Sequence, residues 1–117
     1  MTQSSTSYSR GDIILVPFGL SERSAFKRRP ALVLSSDDYN SGRTDIIVAA
    51  LTTRIRHPLL IGDYLIQSWR ESGLPQPSVV TAILRTTKRF LIIRRMGRLP
   101  TPELVEVEQR LREVLSL

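Results

Sequence analysis

Short apolar runs separated by polar stretches organise most of this chain. Runs of this length that are rich in β-branched residues are typical of strands. The predicted strands fall at residues 11–19, 31–34, 44–54, 63–69, 78–84 and 90–99, the last of them only at its start. The polar segments 36–43 and 85–89 carry turn-forming or basic residues and are predicted to be turns. Residues 20–28 show no period and are predicted to form a solvent-facing loop.

The end of the chain changes to a helical period. Apolar side chains recur there on one face, at Leu104, Val107, Leu111, Val114 and Leu115. Thr101 is the predicted N-cap, and Pro102 suits the first helical position. Five or six short strands followed by one helix predict a mainly β fold, a small antiparallel barrel with a C-terminal helix. The Ser/Thr-rich residues 1–9 predict a disordered tail, which leaves one domain over residues 10–117.

Composition narrows the possible chemistry. The 117 residues include no cysteine and one histidine, which excludes thiolate nucleophiles, zinc–thiolate sites and histidine clusters. The single His57 lies beside Pro58 in a predicted connection, where an exposed or structural role is the usual one. No apolar run reaches the roughly 18 residues of a membrane span, and the polar N-terminus lacks a secretory pattern. We therefore expect a cytoplasmic protein with no membrane association.

Charge points to a polyanionic partner. The chain has 17 basic and 11 acidic residues, a net charge of +6. Residues 1–100 carry 15 basic and 7 acidic side chains, or +8, and all the basic residues except Lys27 and Lys88 are arginine. The planar guanidinium fork matches phosphate oxygens. Nucleic acid or an acidic protein segment is the kind of partner that this imbalance favours.

Two polar clusters flank the predicted strands. Lys27, Arg28 and Arg29 precede a strand, and Thr52 follows another. Because antiparallel neighbours bring a strand start beside a strand end, Arg29 and Thr52 can meet. An arginine and a hydroxyl can hold a phosphate and stabilise the charge of its transition state, and RNA supplies its own 2′-hydroxyl nucleophile. In the alternative interpretation, Arg29 pairs with a carboxylate such as Asp12, and Thr52 is an ordinary strand residue.

The order of several segments resembles a known family. GDIILVPF, KRRPALVLSSDDYN, DIIVAALTT, GLPQPSVV and LRTTKRF occur in this order from about residue 10 onward. Together they resemble the MazF/PemK toxins of type II toxin–antitoxin systems. The resemblance implies an SH3-like (CcdB/MazF-type) barrel that acts as a homodimer. It also implies sequence-specific cleavage of single-stranded mRNA without a metal or cofactor, which inhibits translation and growth, and neutralisation by an acidic antitoxin.

The resemblance also implies the site residues. Arg29, in the Arg-Pro motif, and Thr52, after the apolar strand, match the catalytic pair of the family. The residues implied to bind RNA are Lys27, Arg28, Thr53, Arg54, Ser78 and Arg85. Two departures concern RNA selection: the loop before Arg29 lacks the glycine-rich form of the best-known members, and residues 82–84 are apolar where many relatives carry polar or acidic side chains.

Two other functions fit the same pattern. A non-catalytic barrel toxin could poison DNA gyrase by protein–protein contact, although the chain ends in Ser116-Leu117 and lacks the C-terminal tryptophan of that branch. A barrel that only binds nucleic acid or an acidic peptide would show steeply salt-dependent binding without cleavage.

Overall fold

The computed structural model describes residues 7–18 and 27–117. The described part contains six strands, two α-helices and one 3₁₀ helix. The elements are β1 (Asp12–Pro17), β2 (Arg28–Val33), α1 (Asp37–Gly42), β3 (Asp45–Thr52), β4 (Tyr64–Leu65), β5 (Val79–Lys88), the 3₁₀ helix (Arg89–Leu91), β6 (Arg94–Arg98) and α2 (Thr101–Leu115). The predicted loop at residues 20–28 and the predicted tail at residues 1–9 lie largely outside the described residues.

The strands form one curled antiparallel sheet. Its order is β4-β5-β3-β2-β1-β6, with β3 and β2 at the centre and β4 and β6 at the ends. Every pairing of neighbouring strands is antiparallel. The prediction of a mainly β fold, a small antiparallel barrel with a C-terminal helix, is confirmed, and the six strands curl into a half-barrel.

The two sides of the sheet carry separate apolar cores. Alternate residues of β1, β2 and β3 point to opposite sides, as the two-residue period of a strand requires. One core packs the sheet against α2 and includes Ile13, Leu32, Leu51 and Val107. The other core lies on the opposite side and contains Ile14, Val16, Phe18, Ala31, Val33, Ile46, Val48 and Ala50. The near-continuous apolar run of β3 follows from this double burial.

A buried carboxylate fixes the start of α2 to the segment that follows β4. Glu103 accepts hydrogen bonds from the Tyr64 hydroxyl at 2.7 Å, the Gln67 amide at 2.7 Å and the Ser68 amide at 3.1 Å. Burial alone would raise the pKa of Glu103, but these donors outweigh it and hold that pKa below its ordinary value. Burial, together with the bond to Glu103, raises the pKa of Tyr64.

Segment 66–74 also lies directly against β6. A Cβ atom added to Gly97 would overlap the Ser72 carbonyl, and one added to Gly73 would overlap the carbonyl of Met96. Gly73 also has a φ of +86°, which favours glycine. The two backbones approach so closely that only glycine fits at both positions. Ser72 is fully buried beneath this contact.

Several predicted local elements are corrected. Residues 37–42 form α1 and not a turn, because the Ser36 hydroxyl caps the first turn by accepting from the Tyr39 amide at 3.1 Å. Residues 85–88 continue β5, since Asp45 pairs with Lys88 at the far end of β3. The predicted strand at 63–69 is only Tyr64–Leu65. The strand before α2 begins at Arg94, after the 3₁₀ helix.

The terminal helix and the strand near Arg29 also differ in detail from prediction. Thr101 is the first helical residue, and Pro100 occupies the cap position. Leu104 and Val107 are buried as expected, whereas Val114 and Leu115 are exposed. β2 begins at Arg28 and therefore includes the Arg-Pro pair. Among the described residues, no helix has the length and apolar character needed to span a membrane.

Candidate active site

A pocket opens at the start of β2 and the end of β3. Its volume is about 640 Å³. Arg29 and Thr52 both line it, together with residues of β5 and of the connection before β4. The lining residues are Lys27, Arg29, Ala50, Leu51, Thr52, Thr53, Arg54, Arg56, Leu60, Ile61, Asp63, Thr81, Ala82 and Ile83.

Pro30 opens the β2 side of this pocket. The Leu34 amide donates to the carbonyl of Ile47, so even-numbered residues of β2 direct their amides toward β3. Pro30 has no amide hydrogen to continue that ladder. The pairing of β2 with β3 accordingly ends at Ala31, which lies opposite Ala50. Beyond this point the two strands no longer pair, and the pocket begins there.

A bulge in β5 opens the other side. Ala49 pairs with Leu84 and Leu51 pairs with Val80, so three residues of β5, 81–83, lie opposite the single Ala50. The Thr81 hydroxyl bridges the gap, donating to the Ala50 carbonyl at 2.8 Å and accepting from the Ile83 amide at 3.2 Å. Both ladder interruptions flank the same end of β3, and together they form the pocket walls.

Arg29 and Thr52 lie just beyond the last pair of β2 and β3. Extending the Ala31–Ala50 register by two residues puts Arg29 across from Thr52 on one side of the sheet. The Nε atom of Arg29 is buried and has no hydrogen-bond partner among residues 7–18 and 27–117. A buried donor without a partner costs about 1–3 kcal/mol.

The Thr52 hydroxyl is oriented by the chain that follows it. Its oxygen accepts a hydrogen bond from the Arg54 amide at 3.1 Å. Because a hydroxyl has one proton and two lone pairs, the proton remains available for a ligand. Arg29 and Thr52 can therefore present donors to the same phosphate group.

The alternative pairing of Arg29 with Asp12 is wrong. Asp12 is buried and accepts from Arg95 Nε at 2.9 Å and from Arg98 Nη1 at 3.1 Å. The Ser9 amide donates to the same carboxylate at 2.8 Å. Asp12 thus has its own cationic partners, and Arg29 forms no ion pair with any carboxylate in the described part of the chain.

The other predicted site residues fall into two groups. Lys27, Thr53 and Arg54 line the pocket and are exposed. Arg28 is exposed but lies outside the lining, and Ser78 is buried and donates to the Gln76 carbonyl at 2.9 Å.

Arg85, the last predicted RNA-binding residue, has a different position. It lies opposite Val48 in β5, with its guanidinium 5.1 Å from the ring centre of Phe18. Val48 and Thr52 share one side of β3, so Arg85 is on the side of the sheet that carries Thr52, beyond the pocket lining.

Three polar residues of the pocket lining were not among the predicted site residues. Within residues 7–18 and 27–117, Arg56 adds a fourth cation to Lys27, Arg29 and Arg54, and Asp63 is the one carboxylate of the lining. Thr81 comes from the β5 bulge. A run of cations after β3 was a visible signal for Arg56, whereas the positions of Asp63 and Thr81 depend on long-range folding.

The curled six-strand antiparallel sheet, the C-terminal helix and the cation-lined pocket define a small β-barrel protein with a site suited to an anionic ligand. A sequence profile of PemK-like, MazF-like toxins of type II toxin–antitoxin systems matches residues 9–115. The chain belongs to this family, as its motifs predicted.

Individual relatives and solved structures also come from the MazF toxins and endoribonucleases. Endoribonuclease MazF2 of Mycobacterium bovis is 37% identical over 94 residues, which span 78% of this chain and 81% of the relative. Endoribonuclease MazF6 of Mycobacterium tuberculosis H37Rv matches with the same identity and coverage. A mycobacterial endoribonuclease solved in complex with its cognate antitoxin shares the fold. Its TM-score is 0.77 at 17% identity, with 94% of this chain and 96% of that chain covered.

Proposed function

We propose that this protein is the toxin of a type II toxin–antitoxin pair and cleaves single-stranded mRNA at specific sequences. The observation that carries the proposal is that Arg29 and Thr52 line one open pocket, where Arg29 has no carboxylate partner among the described residues. Family membership and the endoribonuclease activity in the names of the 37% identical relatives support it. Cleavage of mRNA would inhibit translation and growth.

Different pocket residues bind different phosphates of the RNA. Arg29 and Thr52 hold the scissile phosphate, because the guanidinium and the hydroxyl present donors at one place. Lys27, Arg54 and Arg56 extend a positive surface along the pocket for neighbouring phosphates. Arg28 and Arg85 lie outside the lining, where each would contact RNA only beyond the scissile nucleotide.

The reaction needs only RNA and protein side chains. The 2′-oxygen forms a bond to phosphorus while the bond from phosphorus to the 5′-oxygen breaks. The 2′-hydroxyl proton passes to solvent water, and the leaving 5′-oxygen takes up a proton. The products are a 2′,3′-cyclic phosphate and a 5′-hydroxyl, so no metal, cofactor or external reagent is consumed. Arg29 stabilises the added negative charge of the phosphorane-like transition state.

The partners follow from the same proposal. A mycobacterial relative of this fold was solved with its cognate antitoxin. The cationic body of this chain suits an acidic antitoxin segment that folds on binding. We propose that the toxin acts as a homodimer in the cytoplasm, and that residues 10–117 form its single domain.

The test is RNA cleavage by purified protein in EDTA, with Arg29→Ala as the variant. We expect turnover to fall about 100- to 1000-fold, which is typical for the loss of one electrostatic donor to a transition state. RNA affinity should fall less, because the added charge exists only in the transition state. Arg112→Ala, an exposed arginine on α2, is the matched control and should cleave like wild type.

Equal turnover of wild type and Arg29→Ala would contradict the proposal, as would intact RNA with both proteins. Intact RNA together with gyrase-dependent DNA breaks would instead identify a non-catalytic toxin. Steeply salt-dependent RNA binding without cleavage would identify a binding module.

A second pair of variants isolates the Thr52 hydroxyl. Thr52→Val keeps the shape and removes the donor, so we expect turnover to fall about tenfold or more, the equivalent of one charge-assisted hydrogen bond. Thr52→Ser keeps the donor and should retain most activity. Thr86→Val, at an exposed position of β5, should leave turnover unchanged. An unaffected Thr52→Val protein would remove Thr52 from the catalytic pair.

A further inference from the structure

The pocket has two chemically different parts. Lys27, Arg29, Arg54 and Arg56 make one part cationic. The other part is formed by the apolar side chains Leu60, Ile61, Ala82 and Ile83. Ile61 is 89% exposed and Ile83 41% exposed, so apolar surface faces the open pocket. A volume of about 640 Å³ exceeds the needs of a phosphate and leaves room for a nucleobase against this apolar wall.

Among the described residues, Asp63 is the one carboxylate that lines the pocket, and several hydrogen bonds hold it in place. Its amide donates to the Leu60 carbonyl at 3.0 Å, and its Oδ2 accepts from the Leu60 amide at 3.2 Å. Its carbonyl accepts from Arg110 Nε at 3.2 Å. The preceding Gly62, with φ at +94°, leaves no room for a side chain against Ala82 and Val114. These contacts give the carboxylate a fixed position in the wall.

One oxygen of that carboxylate is left for a ligand. Oδ2 is engaged by Leu60, whereas Oδ1 has no hydrogen-bond donor among the described residues. Asp63 also forms no ion pair with the pocket cations or with any other described side chain. A carboxylate repels phosphate, so its favourable ligand group is a hydrogen-bond donor.

Nucleobases differ in whether they offer such a donor. Cytosine, adenine and guanine carry an exocyclic amino group, and a carboxylate accepts well from it. Uracil has no amino group, and two carbonyl oxygens flank its single N–H. A uracil placed against Asp63 would bring oxygens toward a negative charge.

We propose that Asp63 is a specificity-determining residue that selects an amino-bearing base over uracil at the nucleotide whose phosphate Arg29 binds. The inference rests on the proposed RNA-cleaving function and assigns base selection to the same pocket. The base stacks on the wall formed by Leu60, Ile61, Ala82 and Ile83, while its amino group donates to Asp63 Oδ1.

The test compares two homopolymers, fluorescently labelled single-stranded C12 and U12 RNA, of which only C12 carries an exocyclic amino group. Wild type should bind C12 more tightly than U12. Asp63→Asn keeps an acceptor for the Leu60 amide but removes the carboxylate, and we expect the affinity ratio of C12 to U12 to fall about fivefold or more, equivalent to about 1 kcal/mol. Losing a negative charge strengthens binding of both RNAs, and the ratio cancels that effect.

Two further variants make the outcome decisive. Asp38→Asn makes the same charge change on exposed α1 and should leave the ratio unchanged. Asp63→Ser also removes the carboxylate while keeping a hydroxyl acceptor, and carries the same expectation as Asp63→Asn, so a folding defect in one variant does not decide the result. An equal ratio in wild type and the folded Asp63 variants overturns the inference.

Cleavage of a random single-stranded RNA pool separates this inference from the proposed function. Sequencing the 5′ ends of the products should show one position at which wild type disfavours uracil and Asp63→Asn tolerates it. Continued cleavage with an unchanged base profile refutes the role of Asp63 alone. Absence of cleavage by wild type refutes the nuclease, while the C12 to U12 ratio still tests base selection.

Discussion

The molecule has a packed region and an open region, which differ in how completely their buried polar groups are hydrogen-bonded. The packed region comprises the start of β1, β6, α2 and segment 66–74. There, buried Asp12 and Glu103 each accept three hydrogen bonds. In the pocket, Arg29 Nε is buried without a partner among the described residues, and the strand ladders on both sides of β3 are interrupted.

This difference separates the arginines that hold the fold from Arg29, which we propose binds RNA. Arg95 and Arg98 satisfy Asp12 inside the protein, so their charge is used in folding. Arg29 forms no ion pair with any carboxylate in the described part of the chain, and its proposed partner is the RNA phosphate. Substitutions in the packed region should therefore lower stability and spare the turnover of folded protein, and pocket substitutions at Arg29 should do the reverse.

The largest expected effect is on the packed region. Gly97→Ala would drive a methyl group into the Ser72 backbone, which cannot shift cheaply, and we expect a loss of about 3 kcal/mol or more in unfolding free energy. Gly42→Ala, where nothing lies within 4 Å, is the matched control and should unfold like wild type. Urea denaturation measures both. Equal midpoints for the two variants would show that segment 66–74 moves freely away from β6.

A smaller effect is expected at Asp12. Asp12→Ala leaves the Ser9 amide, Arg95 and Arg98 without their shared acceptor, and should cost about 2 kcal/mol of unfolding free energy. RNA turnover per folded molecule should stay at the wild-type value. Asp38→Ala at an exposed position should change stability by less than about 0.5 kcal/mol. A loss of turnover at full stability in Asp12→Ala would erase the distinction between the two regions.

Glu103 adds a pH dependence to the packed region. Its pKa is held below the ordinary value in the folded protein, so its stabilising effect is complete above the unfolded-state pKa, about 4.3, and is lost as the pH falls through the folded value. Glu103→Gln should cost about 1.5 kcal/mol at pH 7. It should also lose less stability than wild type between pH 6 and pH 3 in urea titrations. Glu113→Gln, exposed on the same helix, should follow the wild-type pH curve, and parallel curves for all three proteins would count against this role.

The smallest effect is expected at Thr81, which lies in the β5 bulge that forms one wall of the pocket. Thr81→Val removes the hydroxyl that bridges the β5 bulge to Ala50, and should cost about 1 kcal/mol of stability. Because the bulge forms a pocket wall, turnover should also fall a few-fold. Thr81→Ser restores the hydroxyl and should recover both quantities. Recovery of neither would show that the bulge does not depend on this hydrogen bond.

The spacing of apolar residues along the chain predicted the elements whose apolar side chains are buried in the core. The apolar run 46–51 and the stripe through Leu104 and Val107 identify a strand and a helix, because both are buried as their periods require. Residues 36–43 were misjudged because Asp, Asn, Ser and Gly suit turns as well as a short capped helix. Residues 85–88 were misjudged because their strand conformation depends on pairing with β3 and not on their own polar side chains.

The sequence predicted the part of the site that depends only on which strand ends lie next to each other. Arg29 and Thr52 lie at a strand start and a strand end, and the structure brings both to one pocket. Asp63 and Thr81 reach the same pocket through a turn and a bulge. Neither the turn nor the bulge can be predicted from the residues around them in the sequence. The rest of the wall is a product of tertiary contacts, such as Gly62 against Ala82.

The position of Lys27 offers a way to observe the pocket directly. The chain has only two lysines, Lys27 in the pocket lining and Lys88 at the end of β5 opposite Asp45. Reductive methylation with isotopically labelled formaldehyde leaves each lysine amine charged, so it would install one NMR reporter in the pocket lining and one at the end of β5. The Lys27 signal would move when a nucleotide or an antitoxin peptide occupies the pocket, while the Lys88 signal reports on the distant end of the sheet.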